Sequence, residues 1–121
     1  MRSPAEIERK LPVWHALSEL FLDTELQPLD YEHIARRISR SDFTPGELRA
    51  ILEKEVAPAF VVNLLSVAGE WVPWQEDEVR DIMARSDRSL PQMRWLKRRL
   101  FRRHLQSEWD KIAPLLDATE D

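Results

Sequence analysis

The chain has no cysteine, which removes disulfides, thiolate metal sites and thiol nucleophiles and is compatible with a reducing cytosol. It has only two glycines. Phosphate-cradling loops, nucleophile elbows and dinucleotide fingerprints need glycine where backbone turns sharply or nears a ligand, and none of them is written here. Long hydrophobic runs are missing too. Met1 to Lys10 holds no apolar signal core, and the most apolar stretch, Ala57 to Ala68, carries Asn63 and Ser66 and is too short to span a bilayer. The expectation is a soluble, cytoplasmic protein. There is no HExxH or EF-hand pattern, no internal repeat, no low-complexity segment and no linker. At 121 residues the chain fits one domain and should bury about two-thirds of its unfolded surface without metal or disulfide staples.

What is present is helix punctuation. Ser3-Pro4-Ala5-Glu6, Thr44-Pro45-Gly46-Glu47 and Ser89-Leu90-Pro91-Gln92 each set a hydroxyl three residues before Glu or Gln. The hydroxyl accepts from a first-turn N–H, the Glu or Gln reaches back to the cap's own N–H, and proline's missing donor does no harm there. Apolar residues at three- and four-residue spacing follow. The fold class expected is all-α: a single-domain bundle of five to six helices over 1–121, with a long C-terminal helix and a frayed acidic tail at 117–121.

A first helix after Ser3 carries Ile7 and Leu11, with Pro12 expected to kink or restart it before Trp14, Leu17, Leu20 and Phe21. A second, from about Leu29 to Ser39, turns Tyr31, Ile34, Ala35 and Ile38 inward. The third starts at the Thr44 cap, bracketed by Phe43 and Leu48 as a hydrophobic staple. After Pro58 the run Phe60 to Leu65 is apolar nearly all round, as in a central helix, and Gly69 offers a left-handed stop. Trp71-Val72-Pro73-Trp74 reads as a turn before a fifth helix with Val79, Ile82 and Met83 inward. Ser89 to Leu116 then reads as one helix whose apolar face drifts: Met93, Leu96 and Leu100 form one stripe, and Leu105, Trp109, Ile112 and Leu116 another. Such a helix would wrap the bundle, bend near His104, or offer its distal half to a second copy in a homodimer.

Charge is segregated. Arg88 to Arg103 holds seven basic residues and no acid, so the formal −4 is a +7 segment within a −11 remainder. On a helix Arg98 and Arg102 share a flank beside Arg99 and Arg103, a cationic surface able to meet an acidic partner or phosphates, with Trp95 or Phe101 nearby. The plainer alternative is a solvated face whose arginines pair with acids on neighbouring helices. A pI near 5.4 disfavours nonspecific nucleic-acid binding. The carboxylates Asp23, Glu25 and Glu70, with His15 or His33, are suitable in type for acid–base or metal chemistry but not in spacing, so no catalytic residue, metal or cofactor is assigned. Trp71 and Trp74 flank Pro73, where rigid aromatic edges would anchor a partner or lid the bundle.

Pro12-Val13-Trp14, Ala16-Leu17-Ser18, Leu20-Phe21-Leu22-Asp23-Thr24-Glu25 and Asn63-Leu64-Leu65-Ser66-Val67-Ala68-Gly69-Glu70-Trp71 resemble a family of small bacterial proteins classed as a domain of unknown function. The likeness runs from about Ile7 to Met83 and leaves the basic segment and last helix outside. It implies a compact helical bacterial protein and carries over no catalytic residues.

Three function classes follow, in order. The first is a protein-binding module, in its concrete form an immunity or antitoxin-like protein that occludes a toxin or secreted effector. Its contact residues would come from Asp23, Glu25, Glu70, Trp71, Trp74, Arg98 and Arg102. The second is a hydrolase with a carboxylate cluster, which requires Asp23, Glu25 or Glu70 within hydrogen-bonding distance of His15 or His33. The third is a nucleic-acid-binding protein using the basic block.

Overall fold

The computed structural model describes residues 2–65, 69–88 and 91–119, with the side chains of 65, 91, 94, 98 and 117–119 left out. Among these the chain is all-α, without a strand. Helix α1 (Pro4–Ser18) passes into a 3-10 turn at Glu19–Phe21, and α2 spans Pro28–Ser39. Helix α3 (Pro45–Ile51), a π-helical turn (Leu52–Val56) and α4 (Ala57–Phe60) form one continuous run, followed by the single turn α5 (Val62–Leu65). Then come α6 (Glu76–Asp87), α7 (Pro91–Leu100) and α8 (Arg102–Thr119).

The hydroxyl caps form as the sequence dictates. Ser3 Oγ accepts from the Glu6 N–H, and Thr44 and Glu47 exchange both bonds of a capping box. The Ser89 cap lies outside the described residues. Two further starts were hidden, because Gln27 and Gln75 are not conventional caps. Their backbone N–H groups donate instead to Asp30 and Glu78, each three residues on.

Pro12 neither kinks α1 into two elements nor restarts it: α1 is one element through an exposed Pro12. The proline that does alter geometry is Pro58. It has no N–H, and its ring crowds the carbonyl four residues back. The coil widens just ahead of it, and the Ala57 N–H donates to the Leu52 carbonyl five residues earlier. Glu55 in the widened turn accepts from Trp14 Nε1 (2.9 Å) and Lys10 Nζ (2.9 Å), with Arg2 Nη2 at 3.5 Å. One carboxylate thereby satisfies a buried indole and ties the π turn to α1. The expected all-round apolar helix after Pro58 is instead two short turns, in which Phe60 and Val61 are buried and Val62 is exposed.

One core cluster joins Leu11, Trp14, Leu17, Phe21, Ile34, Ile38, Leu48, Leu52, Phe60, Met83, Ile112 and Leu116. The C-terminal helix is interrupted at Phe101, three residues before His104, but hydrogen bonds carry its pattern across: Phe101 N–H to Lys97 O (3.1 Å) and Leu105 N–H to Phe101 O (3.0 Å). In α8, Leu105, Trp109, Ile112 and Leu116 are buried, and the helix packs chiefly on α2. The distal half therefore turns its apolar face into this chain's own core. The backbone stays helical to Thr119, and the rest of the acidic tail, residues 120–121, lies outside the described residues.

A polar group closes the α2–α8 seam. Tyr31 Oη donates to Glu108 Oε2 (2.6 Å) and accepts from Lys111 Nζ (3.3 Å), while His104, stacked at a tilt on Phe21, holds Nε2 4.0 Å from Glu108 Oε1. Burial first, then the hydrogen bond to Glu108 and the charges of Glu108 and Asp30, push the Tyr31 hydroxyl well above its ordinary value of 10.0. Above pH 10 the unfolded chain releases a proton that the folded chain keeps. Stability from this group is thus complete below pH 10 and lost as pH rises further, by at most about 1.4 kcal/mol per pH unit. Tyr31 is the chain's one tyrosine. Its phenolate absorbance in the native protein should rise only well above pH 10, and Tyr31→Phe should flatten the alkaline fall in unfolding free energy; an ordinary tyrosine titration would contradict the seam.

Candidate docking surface

Two surfaces gather the residues singled out by sequence. The first is a corner held by Asn63. Its Nδ2 donates to the carbonyls of Phe21 (2.8 Å) and Glu70 (3.0 Å), and its Oδ1 accepts from the Glu70 N–H (2.8 Å). The same Glu70 carbonyl accepts from the Asp23 N–H at 2.7 Å. An amide serves here because it has a donor and an acceptor to give to two strands of irregular backbone, each of which would otherwise leave groups unpaired. The sequence marked Asn63 only as a break in an apolar run.

Gly69 is glycine for the same reason. It is not the left-handed helix stop expected, for its φ is not positive. A Cβ there would stand 2.5 Å from the Asn63 carbonyl oxygen and 3.1 Å from Oδ1, so closure of the corner demands its absence.

Asp23 and Glu70 are brought together through backbone, with exposed side chains, and Glu25 is exposed nearby in sequence. Trp71 is 69 % exposed. Trp74 is 8 % exposed and meets Phe60 edge-on at 4.9 Å, so its ring belongs to the core and is withdrawn from any contact surface. Its carbonyl takes His15 Nε2 at 2.7 Å. His33 is exposed on α2. No hydrogen bond or ion pair among the described residues joins His15 or His33 to Asp23, Glu25 or Glu70, and no group of three or more His, Asp or Glu there is placed to hold a metal ion.

The second surface is α7. Met93, Trp95, Leu96 and Leu100 are exposed, from 43 % at Leu96 to 68 % at Leu100. At about 100° per residue the Met93–Leu96–Leu100 stripe stands nearly half a turn from the buried stripe of α8. With the hydrogen-bond pattern carried through Phe101, seating α8 in the core points the α7 stripe outward. Lys97 is half-buried, with Nζ 3.4 Å from the Pro58 carbonyl.

The basic block surrounds that stripe. Elsewhere five arginines meet acids, Arg2 with Asp87, Arg9 with Asp42, Arg37 with Glu19, Arg49 with Glu53 and Arg80 with Glu8, while Arg36, Arg40 and Arg85 make no ion pair among the described residues. Arg99, Arg102 and Arg103 are exposed and make no ion pair among the described residues. The expected pairing with neighbouring acids is not found for them. Arg99 lies over the Trp95 ring, 5.6 Å from its centroid. The Arg98 side chain is outside the described residues. Arg102, Arg99 and Trp95 line a cleft of about 370 Å³ with Arg49, Glu53, Leu105 and Gln106.

A family model for a domain of unknown function, DUF7079, matches residues 8–115. The chain belongs to that family. The match reaches beyond the Ile7–Met83 likeness, taking in the basic segment and nearly all of the last helix. No curated protein and no solved structure matches the chain. Within the family's span two of the four stretches that carry the resemblance, Leu20 to Glu25 and Asn63 to Trp71, meet at the Asn63 corner through Phe21, Asp23 and Glu70. Among the described residues no helix is long and apolar enough to cross a membrane.

The two glycines separate close approach from mere freedom. Gly46 has nothing nearer to an added Cβ than Thr44 Oγ1 at 4.0 Å. Gly46→Ala should stabilise by about 0.4–1 kcal/mol, whereas Gly69→Ala should destabilise by about 1–3 kcal/mol through overpacking. Denaturant titration of both variants reads the opposite signs; equal effects would mean that the corner does not close as described.

Proposed function

We propose that this chain is a protein-binding module whose docking element is α7. The observation that carries the reading is the outward apolar stripe Met93, Leu96 and Leu100, beside Trp95, on a helix whose continuation is fully committed to the core. Exposed apolar side chains grouped on one helix are costly in water and mark interaction sites. An amphipathic helix read at i, i+3 and i+7 suits a groove or a facing helix on a partner. Because these three side chains are already partly covered, completing their burial contributes about half of the roughly 1.5–3 kcal/mol that full burial of each would give.

Steric occlusion is the mechanism that goes with this surface: a rigid bundle presents one helix and covers the partner's working face without chemistry of its own. An immunity or antitoxin-like protein facing a toxin or secreted effector is its specific form. The chain's small size, its segregated charge and its lack of a catalytic motif support that form. The Asp23–Glu70 corner, with Trp71, is the alternative contact face.

The two faces are told apart by a pair of variants. Affinity capture from the native cell, followed by reconstitution with the purified partner, should lose at least tenfold in affinity for L96D/L100D and less than twofold for D23N/E70Q. Both changes lie on exposed side chains, so unfolding midpoints should hold. Retained affinity in L96D/L100D, with loss in D23N/E70Q, would move the docking surface to the Asn63 corner.

A further inference from the structure

The cleft beside α7 is a second recognition element. Its walls come from Arg49 and Glu53 of the α3–π run, Trp95 and Arg99 of α7, and Arg102, Leu105 and Gln106 of α8. Arg49 is already engaged, by Glu53 at 2.9 Å and by the Gln106 amide oxygen, and Gln106 in turn donates to Asp110 at 2.8 Å. Those contacts fix one wall. Arg99 and Arg102 bring two guanidinium groups to the same cleft without an ion-pair partner of their own among the described residues. Two unmatched forks of N–H donors beside an aromatic face suit a planar anion that can accept bidentate hydrogen bonds.

The cleft and the apolar stripe are contiguous. On a helical projection Leu96 lies between Arg99 on one side and Leu100 and Met93 on the other. A segment laid along the outer face of α7 with apolar residues on Leu96 and Leu100 would carry its flanking side chains over Arg99 and Arg102. We infer that the cleft takes a carboxylate side chain from an acidic amphipathic segment of the partner protein. This rests on α7 being the docking helix. The charge pattern argues the occupant: a +7 segment set in a −11 remainder attracts an acidic surface to this one place and repels it elsewhere, fixing register as well as rate. A nucleic-acid strand fits less well, because its phosphates would leave three aliphatic side chains in water and would meet the acidic remainder.

The test uses the full chain and three fluorescein-labelled probes followed by anisotropy. One is a synthetic amphipathic peptide with leucines at i, i+3, i+4 and i+7 and glutamates along one flank. The second replaces every Glu with Gln, and the third is an oligothymidylate. The Glu peptide should bind about tenfold more tightly than the Gln peptide at low salt. R99Q/R102Q should abolish that advantage while leaving the Gln peptide's affinity unchanged, and L96D/L100D should lose both peptides. Single substitutions R99Q and R102Q, each expected to remove part of the advantage, serve should the double variant not fold. Equal binding of the two peptides overturns the carboxylate cleft and leaves the docking helix standing. Failure of both peptides to bind, or binding indifferent to L96D/L100D, overturns both. Oligothymidylate binding lost in R99Q/R102Q without peptide binding assigns the arginines to phosphates and overturns the inference. Sedimentation as a dimer that L96D/L100D dissolves assigns the stripe to a second copy and overturns it as well.

Discussion

The rotation of the last helical run about its own axis is the constraint from which the surface follows. Leu105, Trp109, Ile112 and Leu116 are all buried, and together they outweigh what Met93, Leu96 and Leu100 could gain by taking their place. A helix that carries its hydrogen bonds through Phe101 cannot turn both stripes, nearly half a turn apart, to one core. The longer stripe wins. The shorter is left in water, with Trp95 beside it and arginines that pair with no acid among the described residues, and recognition is the role we propose for that face.

Around that run, the irregular backbone is anchored by single polar side chains. Glu55 satisfies the Trp14 indole and Lys10 where Pro58 has widened the coil. Asn63 closes the loop after α5 onto the end of the first helical run, and Gly69 leaves it the room. Asn63 pairs backbone groups where no regular helix supplies their partners, whereas Glu55 joins the widened turn to α1 through side chains. Loss of Asn63 leaves backbone groups unpaired and loss of Glu55 leaves the buried Trp14 indole unpaired, each more costly than the bond's own net worth.

Much of the fold was legible from particular residues. The Ser3 and Thr44 caps, the inward set Tyr31, Ile34, Ala35 and Ile38, and the stripe on α8 all follow from local spacing, which needs no knowledge of neighbours. Pro12 was over-read, since a proline on the exposed side of a helix supported by core contacts is tolerated. Gly69 was read by residue type, and contact decided otherwise, for it found Asn63; of the two readings of Trp74, anchor or lid, its packing on Phe60 selects the lid. Of the surface, sequence named Asp23, Glu25, Glu70, Trp71 and Arg102, all exposed, and it named the Met93–Leu96–Leu100 stripe without deciding that it faces water.

The sequence by itself determined the helices, their caps, most of the core and the separation of charge, because amphipathic period and capping are properties of residues close together in the chain. Only the tertiary structure decided which arginines have acids to pair with, which tryptophan is covered, and which of two apolar stripes on one helical run faces water. Those outcomes depend on competition among distant segments for one limited interior, and local spacing carries no record of who wins.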